Sequence, residues 1–152
     1  MLTLLSVMFL YNPQSIFIPV GFMASIALLA LLIVVVWKAK YYVREDDLQT
    51  VKVYIKVALV IVVLHVLMLI FGVYKMLGEL EAIHRFNFGA LIIFLSYYAL
   101  NILFTAGALF SVLKKLEHYE IHSRNGVDIN RLFVLSTFLF ITLTLFVLLA
   151  GL

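Results

Sequence analysis

The chain alternates between long apolar stretches and short polar ones, and each apolar stretch is about as long as a membrane-spanning helix. Four stretches fit this description, over residues 16–37, 57–74, 86–113 and 132–152. About 20 predominantly apolar residues cross the hydrocarbon core of a bilayer as a helix. Because the backbone in lipid must satisfy its own hydrogen bonds, each stretch is predicted to be helical. The pattern therefore indicates an all-α, polytopic membrane protein.

The connections between the apolar stretches are short, so consecutive helices are expected to run in opposite directions. This predicts one domain over residues 1–152, an antiparallel bundle of four transmembrane helices. The first 12 residues are mostly apolar but too few to cross a bilayer. Two interpretations of them remain open: a segment at the membrane interface, or an extension of helix 1 that kinks near Pro13 and Pro19.

Polar residues beyond the apolar stretches indicate where the helices begin and end. Asp46 and Asp47 both suit the N-cap of helix 2, which would then begin well before residue 57. Helix 3 is expected to continue past residue 113 until Asn125 and Gly126 provide a stop. The helices are therefore predicted to extend beyond the bilayer.

Lysine and arginine are unevenly divided between the two sides of the predicted bundle. Of the 11, nine flank the connections between helices 1 and 2 and between helices 3 and 4, whereas Lys75 and Arg85 flank the remaining connection. Short loops rich in these residues face the cytoplasm in multi-pass proteins. We therefore expect both termini on the non-cytoplasmic side, with the protein located in the cell (cytoplasmic) membrane.

The composition supports a membrane protein and excludes several other classes. Apolar residues make up 66% of the chain and charged residues 12%, against roughly 45–50% and about 25% in an ordinary globular domain. The chain has no cysteine, which excludes disulfides, thiolate metal ligands and thiol catalysis. Its basic residues flank the apolar stretches and form no recognition patch, so nucleic acid is not an expected partner.

His65 is the one Lys, Arg, Asp, Glu or His residue within the four apolar stretches. An ionisable group in mid-membrane is energetically costly and by default suggests a function. Three interpretations are open: a neutral imidazole hydrogen-bonded between helices, an axial haem ligand, or part of a proton or ion path. No second histidine lies at the same depth, so a haem would need a ligand from a partner chain or another side-chain type. Hydrogen bonding requires the fewest additional assumptions.

Helix 3 carries polar residues near its middle, among them Tyr97, Tyr98, Asn101 and Thr105. Tyr97, Asn101 and Thr105 are four residues apart and therefore line one side of the helix, and Tyr98 borders them. In an antiparallel pair Asn101 reaches the depth of His65, so Asn101 or a tyrosine is the expected partner of the imidazole. The group forms either a polar track for an ion, a proton or a quinone head group, or interhelical hydrogen bonds worth about 0.6 kcal/mol each.

Two further pairs of residues have a spacing typical of sites. Gly107 and Ser111 form a small-xxx-small pair, which permits close helix contact within the chain or between subunits. His118 and His122 lie four residues apart, as zinc-binding histidines on one helix face do, but Tyr119 stands where the catalytic glutamate of the zinc-protease motif would be. A solvated helix end is the alternative interpretation of the two histidines.

The sequence contains no arrangement of residues typical of a catalytic centre. We therefore predict a non-catalytic integral membrane subunit of a larger complex, not an enzyme, with no required cofactor. Its expected partners are the lipid bilayer and other membrane protein subunits. Two alternatives are a haem-binding electron-transfer subunit that uses His65, and a small oligomeric transporter or channel that uses the polar track on helix 3.

Overall fold

The computed structural model describes residues 17–45, 47–80, 88–117 and 126–150, and the regular structure within these ranges is α-helical. Four helices follow one another along the chain, α1 (Phe17–Arg44), α2 (Leu48–Leu80), α3 (Phe88–Glu117) and α4 (Gly126–Ala150). Each helix contains a segment long and apolar enough to cross a membrane: Val20–Arg44, Leu48–Gly78, Leu91–Leu116 and Asp128–Leu148. The predicted all-α class with four apolar helices is confirmed.

The helices are arranged as a ring in which each packs against the next along the chain, and α4 returns to α1. The most extensive contact joins α1 and α2. The core between the helices includes fully buried aliphatic side chains such as Leu29, Ile55 and Leu143. The outward faces are apolar as well, and Leu103 and Phe104 of α3 are each 67% exposed. A helix that is apolar all round is typical of a membrane span.

The helices extend beyond the apolar stretches, most clearly at the connection between α1 and α2. Here α1 continues to Arg44, and α2 begins at Leu48. The Thr50 backbone N–H donates to Asp47 Oδ1 at 3.1 Å, so Asp47 is the N-cap of α2, as the sequence predicts. The hydrogen bonds from the Thr50 side chain and backbone lower the pKa of the Asp47 carboxyl group. Asp46, the other candidate cap, lies outside the described residues.

The connection between α3 and α4 is described in part. Gly126 is the first residue of α4, and the predicted end of helix 3 near Asn125 falls outside the described residues and stays a prediction. Asp128 in the first turn of α4 favours a helix start here, because an acidic side chain is favourable at a helix N-terminus. Its Oδ2 atom also lies 2.6 Å from Lys115 Nζ, an ion pair that joins α3 to α4. Residues 118–125, like the first 12 residues, lie outside the described ranges.

Two glycines bring α1 and α2 together backbone to backbone. A Cβ atom added to Gly21 would lie 2.8 Å from Gly72 Cα and 3.0 Å from Gly72 N. Such distances are too short for real Cβ contacts, so any side chain at position 21 would displace the backbone of α2. A Cβ atom added to Gly72 would instead lie 3.5 Å from the Phe22 ring, an ordinary van der Waals contact. Small residues permit this kind of close helix packing.

Candidate functional site

His65 lies in the interior of the bundle and contacts Tyr98 of α3. Both side chains are 0% exposed. The His65 Nε2 and Tyr98 Oη atoms are 3.1 Å apart, within hydrogen-bonding distance. Of the partners suggested by the sequence, the structure thus places Tyr98, and not Asn101, beside the imidazole. The two rings also meet edge to face, with centroids 5.9 Å apart.

Two longer contacts extend this pair to the other two helices. Tyr98 Oη lies 3.5 Å from the carbonyl oxygen of Leu139 on α4. On α1, Ser25 Oγ donates to the carbonyl oxygen of His65, also at 3.5 Å. Both distances are at the weak end of hydrogen bonding, so the contact between His65 and Tyr98 is the strongest of the three. Polar atoms from all four helices therefore meet at one place, which we call the His65 network.

The His65 network leaves one atom of the imidazole without a partner. A neutral imidazole carries one donor and one acceptor. If the Tyr98 hydroxyl group donates to the Leu139 carbonyl oxygen, it accepts a hydrogen bond from Nε2–H, and Nδ1 is then an acceptor without a donor. If the Tyr98 hydroxyl group donates to Nε2 instead, the proton of the neutral imidazole lies on Nδ1. In both cases Nδ1 is buried and has no hydrogen bond to the residues that the structure describes. An unsatisfied buried atom lowers the stability gained from the network.

Aromatic rings fill the space between the His65 network and the end of the bundle where α1 begins. The Phe94 ring stacks on Tyr98 at a centroid distance of 5.5 Å and on Phe146 of α4 at 3.9 Å. Phe146 in turn contacts Phe22 of α1, with centroids 6.1 Å apart. These rings form an aromatic column that was not predicted, since phenylalanine in an apolar stretch carries no signal of its partner.

The surroundings of His65 do not fit a haem. An axial bond from Nε2 would require the imidazole to leave Tyr98 Oη, which lies 3.1 Å away. The flat macrocycle would also need space that the stacked rings of Tyr98 and Phe94 occupy. The described contact of the imidazole is a hydrogen bond across helices, to Tyr98 of α3.

The polar residues of α3 do not face one common space. Tyr97 is 49% exposed, Asn101 is half-buried and Thr105 is fully buried. The reason is geometric: at 3.6 residues per turn, each step of four residues rotates the side chain by about 40° around the helix. The row therefore winds from the outer surface to the interior. Asn101 Nδ2 donates to the Tyr97 carbonyl and Thr105 Oγ1 to the Asn101 carbonyl, both at 2.9 Å, so these donors are satisfied within α3.

The pair Gly107 and Ser111 is not part of the His65 network. Gly107 and Ser111 are exposed, and a Cβ atom added to Gly107 would meet nothing within 4 Å. The pair makes no close helix contact among the described residues; a contact between subunits stays a prediction. His118 and His122 lie outside the described residues. Within the described ranges, no group of three or more metal-ligating side chains occurs.

The other buried hydroxyl groups of the described interior hydrogen-bond to their own helices. Ser136 Oγ donates to the carbonyl of Leu132 at 2.8 Å, in the same way that Thr105 donates to Asn101. This local bonding is common for serine and threonine in helices and requires no function. Comparison with known protein families, curated proteins and solved structures finds no match to this chain. Its function is therefore argued from the geometry alone.

Proposed function

We propose that the chain is a multi-pass integral membrane protein that acts as a non-catalytic subunit of a larger membrane complex. The His65 network carries this proposal. Its polar atoms bond to one another across four helices, and the nearby threonine and serine bond to their own helices. Interhelical hydrogen bonds of this kind hold membrane bundles together. The polar groups are thus used for the integrity of the bundle, while the outward faces stay available to lipid and to other proteins.

The outward face of α3 supports contact with another subunit. This helix is the least buried of the four. Ile93 is 72% exposed, and Leu103 and Phe104 are each 67% exposed on the same helix. Gly107 and Ser111 are also exposed and lack the bulk that would keep a second helix away. We propose this face as the contact surface; the transporter alternative rests on the sequence alone.

Co-purification tests the proposed role. The tagged chain, extracted gently from its native membrane, is expected to recover a defined set of membrane proteins at fixed stoichiometry. Gly107→Leu places bulk on the outward face of α3 and should lower that recovery severalfold. Val60→Leu, at an exposed position of α2, is the matched control and should not. Recovery of the chain alone, or as a homo-oligomer only, contradicts the proposal. Visible absorption bands of a b-type haem in the purified material would favour the haem-binding alternative.

We expect both termini on the non-cytoplasmic side of the cell membrane. The end of the bundle that holds the connection between α1 and α2 carries most of the basic residues within the described ranges: Lys38, Lys40, Arg44, Lys52, Lys56, Lys114, Lys115 and Arg131. Lys75 lies toward the opposite end. By the positive-inside rule, the basic end faces the cytoplasm.

Reporter fusions test this orientation. A reporter active only in the cytoplasm is expected to be inactive when fused after Leu152 and active when fused to a chain cut after Glu45. A reporter active only outside the cytoplasm provides the matched measurement and should give the reverse result. Cytoplasmic activity at Leu152 would overturn the orientation.

A further inference from the structure

A surface cleft of about 140 Å³ lies near the C-terminal end of α1, lined by Trp37, Lys40, Tyr41 and Arg44. Lys40, Tyr41 and Arg44 follow Trp37 by three, four and seven residues, so all four side chains lie on one face of the helix. Trp37 is 55% exposed and Tyr41 54% exposed. The cleft thus combines two cations with two large, accessible aromatic rings.

The two cations of the cleft have no anionic partner in the part of the chain that the structure describes. Neither Lys40 nor Arg44 makes an ion pair there. The nearby Asp47 carboxylate accepts a hydrogen bond from the Thr50 backbone N–H as the N-cap of α2. Lys38 Nζ lies over the Trp37 ring at 5.6 Å from its centroid, which adds positive charge beside the cleft. The electrostatics of the cleft therefore favour an anion.

The position of the cleft along α1 fixes what kind of anion reaches it. The apolar stretch that contains most of α1 spans residues 16–37 and ends at Trp37, and about 20 helical residues cover the hydrocarbon core. Trp37 then lies at the edge of the hydrocarbon, and Lys40 and Tyr41 lie in the headgroup layer. Arg44 lies roughly 6 Å farther along the helix axis than Lys40, at a rise of about 1.5 Å per residue. This spacing is close to the depth of one headgroup layer, roughly 5–8 Å.

Ring contacts that reach α2 through Tyr42 hold Tyr41, one of the two rings in the aromatic wall of the cleft, in place. Tyr41 meets Tyr42 edge to face, with centroids 5.5 Å apart. Tyr42 stacks on Tyr54 of α2, also at 5.5 Å. A wall that is fixed before binding loses little side-chain entropy when a ligand is bound.

We propose that this cleft binds the phosphate headgroup of an anionic phospholipid. Lys40 and Arg44 contact the phosphate oxygens, the guanidinium group with its planar fork of donors. The Tyr41 hydroxyl group donates to the same headgroup, and Trp37 lies against the glycerol and the upper acyl chain. This inference rests on the proposed membrane location of the chain.

Trp37 is the one tryptophan of the chain, so its fluorescence reports on the cleft directly. The full chain is reconstituted in phosphatidylcholine vesicles that contain a small fraction of phosphatidylglycerol. Brominated phosphatidylglycerol is expected to quench Trp37 more strongly than an equal fraction of brominated phosphatidylcholine. Lys40→Gln with Arg44→Gln should lower this preference roughly 25-fold, at about fivefold for each cation.

The matched control removes two exposed cations from the same end of the bundle, with Lys56→Gln and Arg131→Gln. It should change the preference by less than about twofold if binding is local to the cleft. Equal losses in the two double variants would assign the preference to diffuse surface charge and overturn the inference, as would no loss in the cleft variant. Glycerol 3-phosphate in solution should not abolish the preference; if it does, the cleft binds a soluble phosphate ester and the lipid assignment is wrong.

Insertion is measured separately, as resistance of the chain to alkaline carbonate extraction. A chain that fails to insert contradicts the proposed membrane location and the lipid site with it. A chain that inserts but shows no preference for phosphatidylglycerol contradicts the lipid site alone.

Discussion

Gly21→Ala is expected to destabilise the bundle by about 2 kcal/mol, in the range for overpacking a close contact. The new methyl group would lie 2.8 Å from Gly72 Cα, which is backbone and cannot rotate away. The helices α1 and α2 must therefore separate, which disturbs the most extensive helix contact of the bundle. The measurement is the free energy of unfolding of the purified chain in a mild detergent, obtained by titration with a denaturing one.

Two other glycines provide controls for the Gly21 variant. Gly72→Ala places its methyl group 3.5 Å from the Phe22 ring, and Gly107→Ala places it in open space. Replacing glycine by alanine in the interior of a helix stabilises the helix by about 1 kcal/mol. Gly107→Ala should therefore be neutral or slightly stabilising. The free energy of unfolding of Gly72→Ala should lie between those of the Gly21→Ala and Gly107→Ala variants. If Gly21→Ala proves as stable as Gly107→Ala, the backbone contact between α1 and α2 is not formed.

Tyr98→Ala should cost about 3 kcal/mol, the largest loss that we expect from one substitution. The ring is fully buried, stacks on Phe94 at 5.5 Å and contacts His65 through its hydroxyl group. Its removal leaves a cavity in the aromatic column and takes the partner of the imidazole away. Thermal unfolding in one detergent, followed by circular dichroism, measures the loss.

The hydroxyl group and the imidazole can be separated from the packing of the ring. Tyr98→Phe keeps the ring, and His65→Leu fills a similar volume, so each should cost on the order of 1 kcal/mol. Because the two groups share one hydrogen bond, the double variant should cost less than the sum of the single ones. Loss of complex assembly or activity in His65→Leu with unchanged stability would contradict the structural role and show that His65 acts as a ligand or proton carrier.

The helices could be predicted from the sequence because hydropathy reports directly on the length of an apolar stretch. The extension of the helices beyond the apolar stretches was also predicted, and the structure continues them through residues 38–44 and 48–56. The start of α2 could be predicted from Asp47, because a cap has a local signal in the residue type itself. The predicted end of helix 3 near Asn125 lies outside the described residues and stays a prediction.

The candidate site was predictable in part. His65 is distinctive because no other Lys, Arg, Asp, Glu or His residue lies in an apolar stretch. Its partner was not decidable between Asn101 and a tyrosine, because a helix that is apolar on all sides gives no signal of its rotation. The contact between Gly21 and Gly72 was missed for a related reason. Which two glycines meet depends on the register between helices, and that register is fixed by packing along their whole length.

The tight turn between Arg44 and Leu48 gives the bundle a built-in order of assembly. The first two helices form a hairpin that is closed at one end by the turn at Asp47, whose backbone N–H donates to the Tyr42 carbonyl oxygen of α1, and at the other end by the glycine contact. Every residue needed for this pairing is present once the chain has been synthesised as far as Leu80. Contacts that are local in sequence form sooner than distant ones, because less loop entropy is lost. The nascent hairpin can therefore serve as the template on which α3 and α4 later dock.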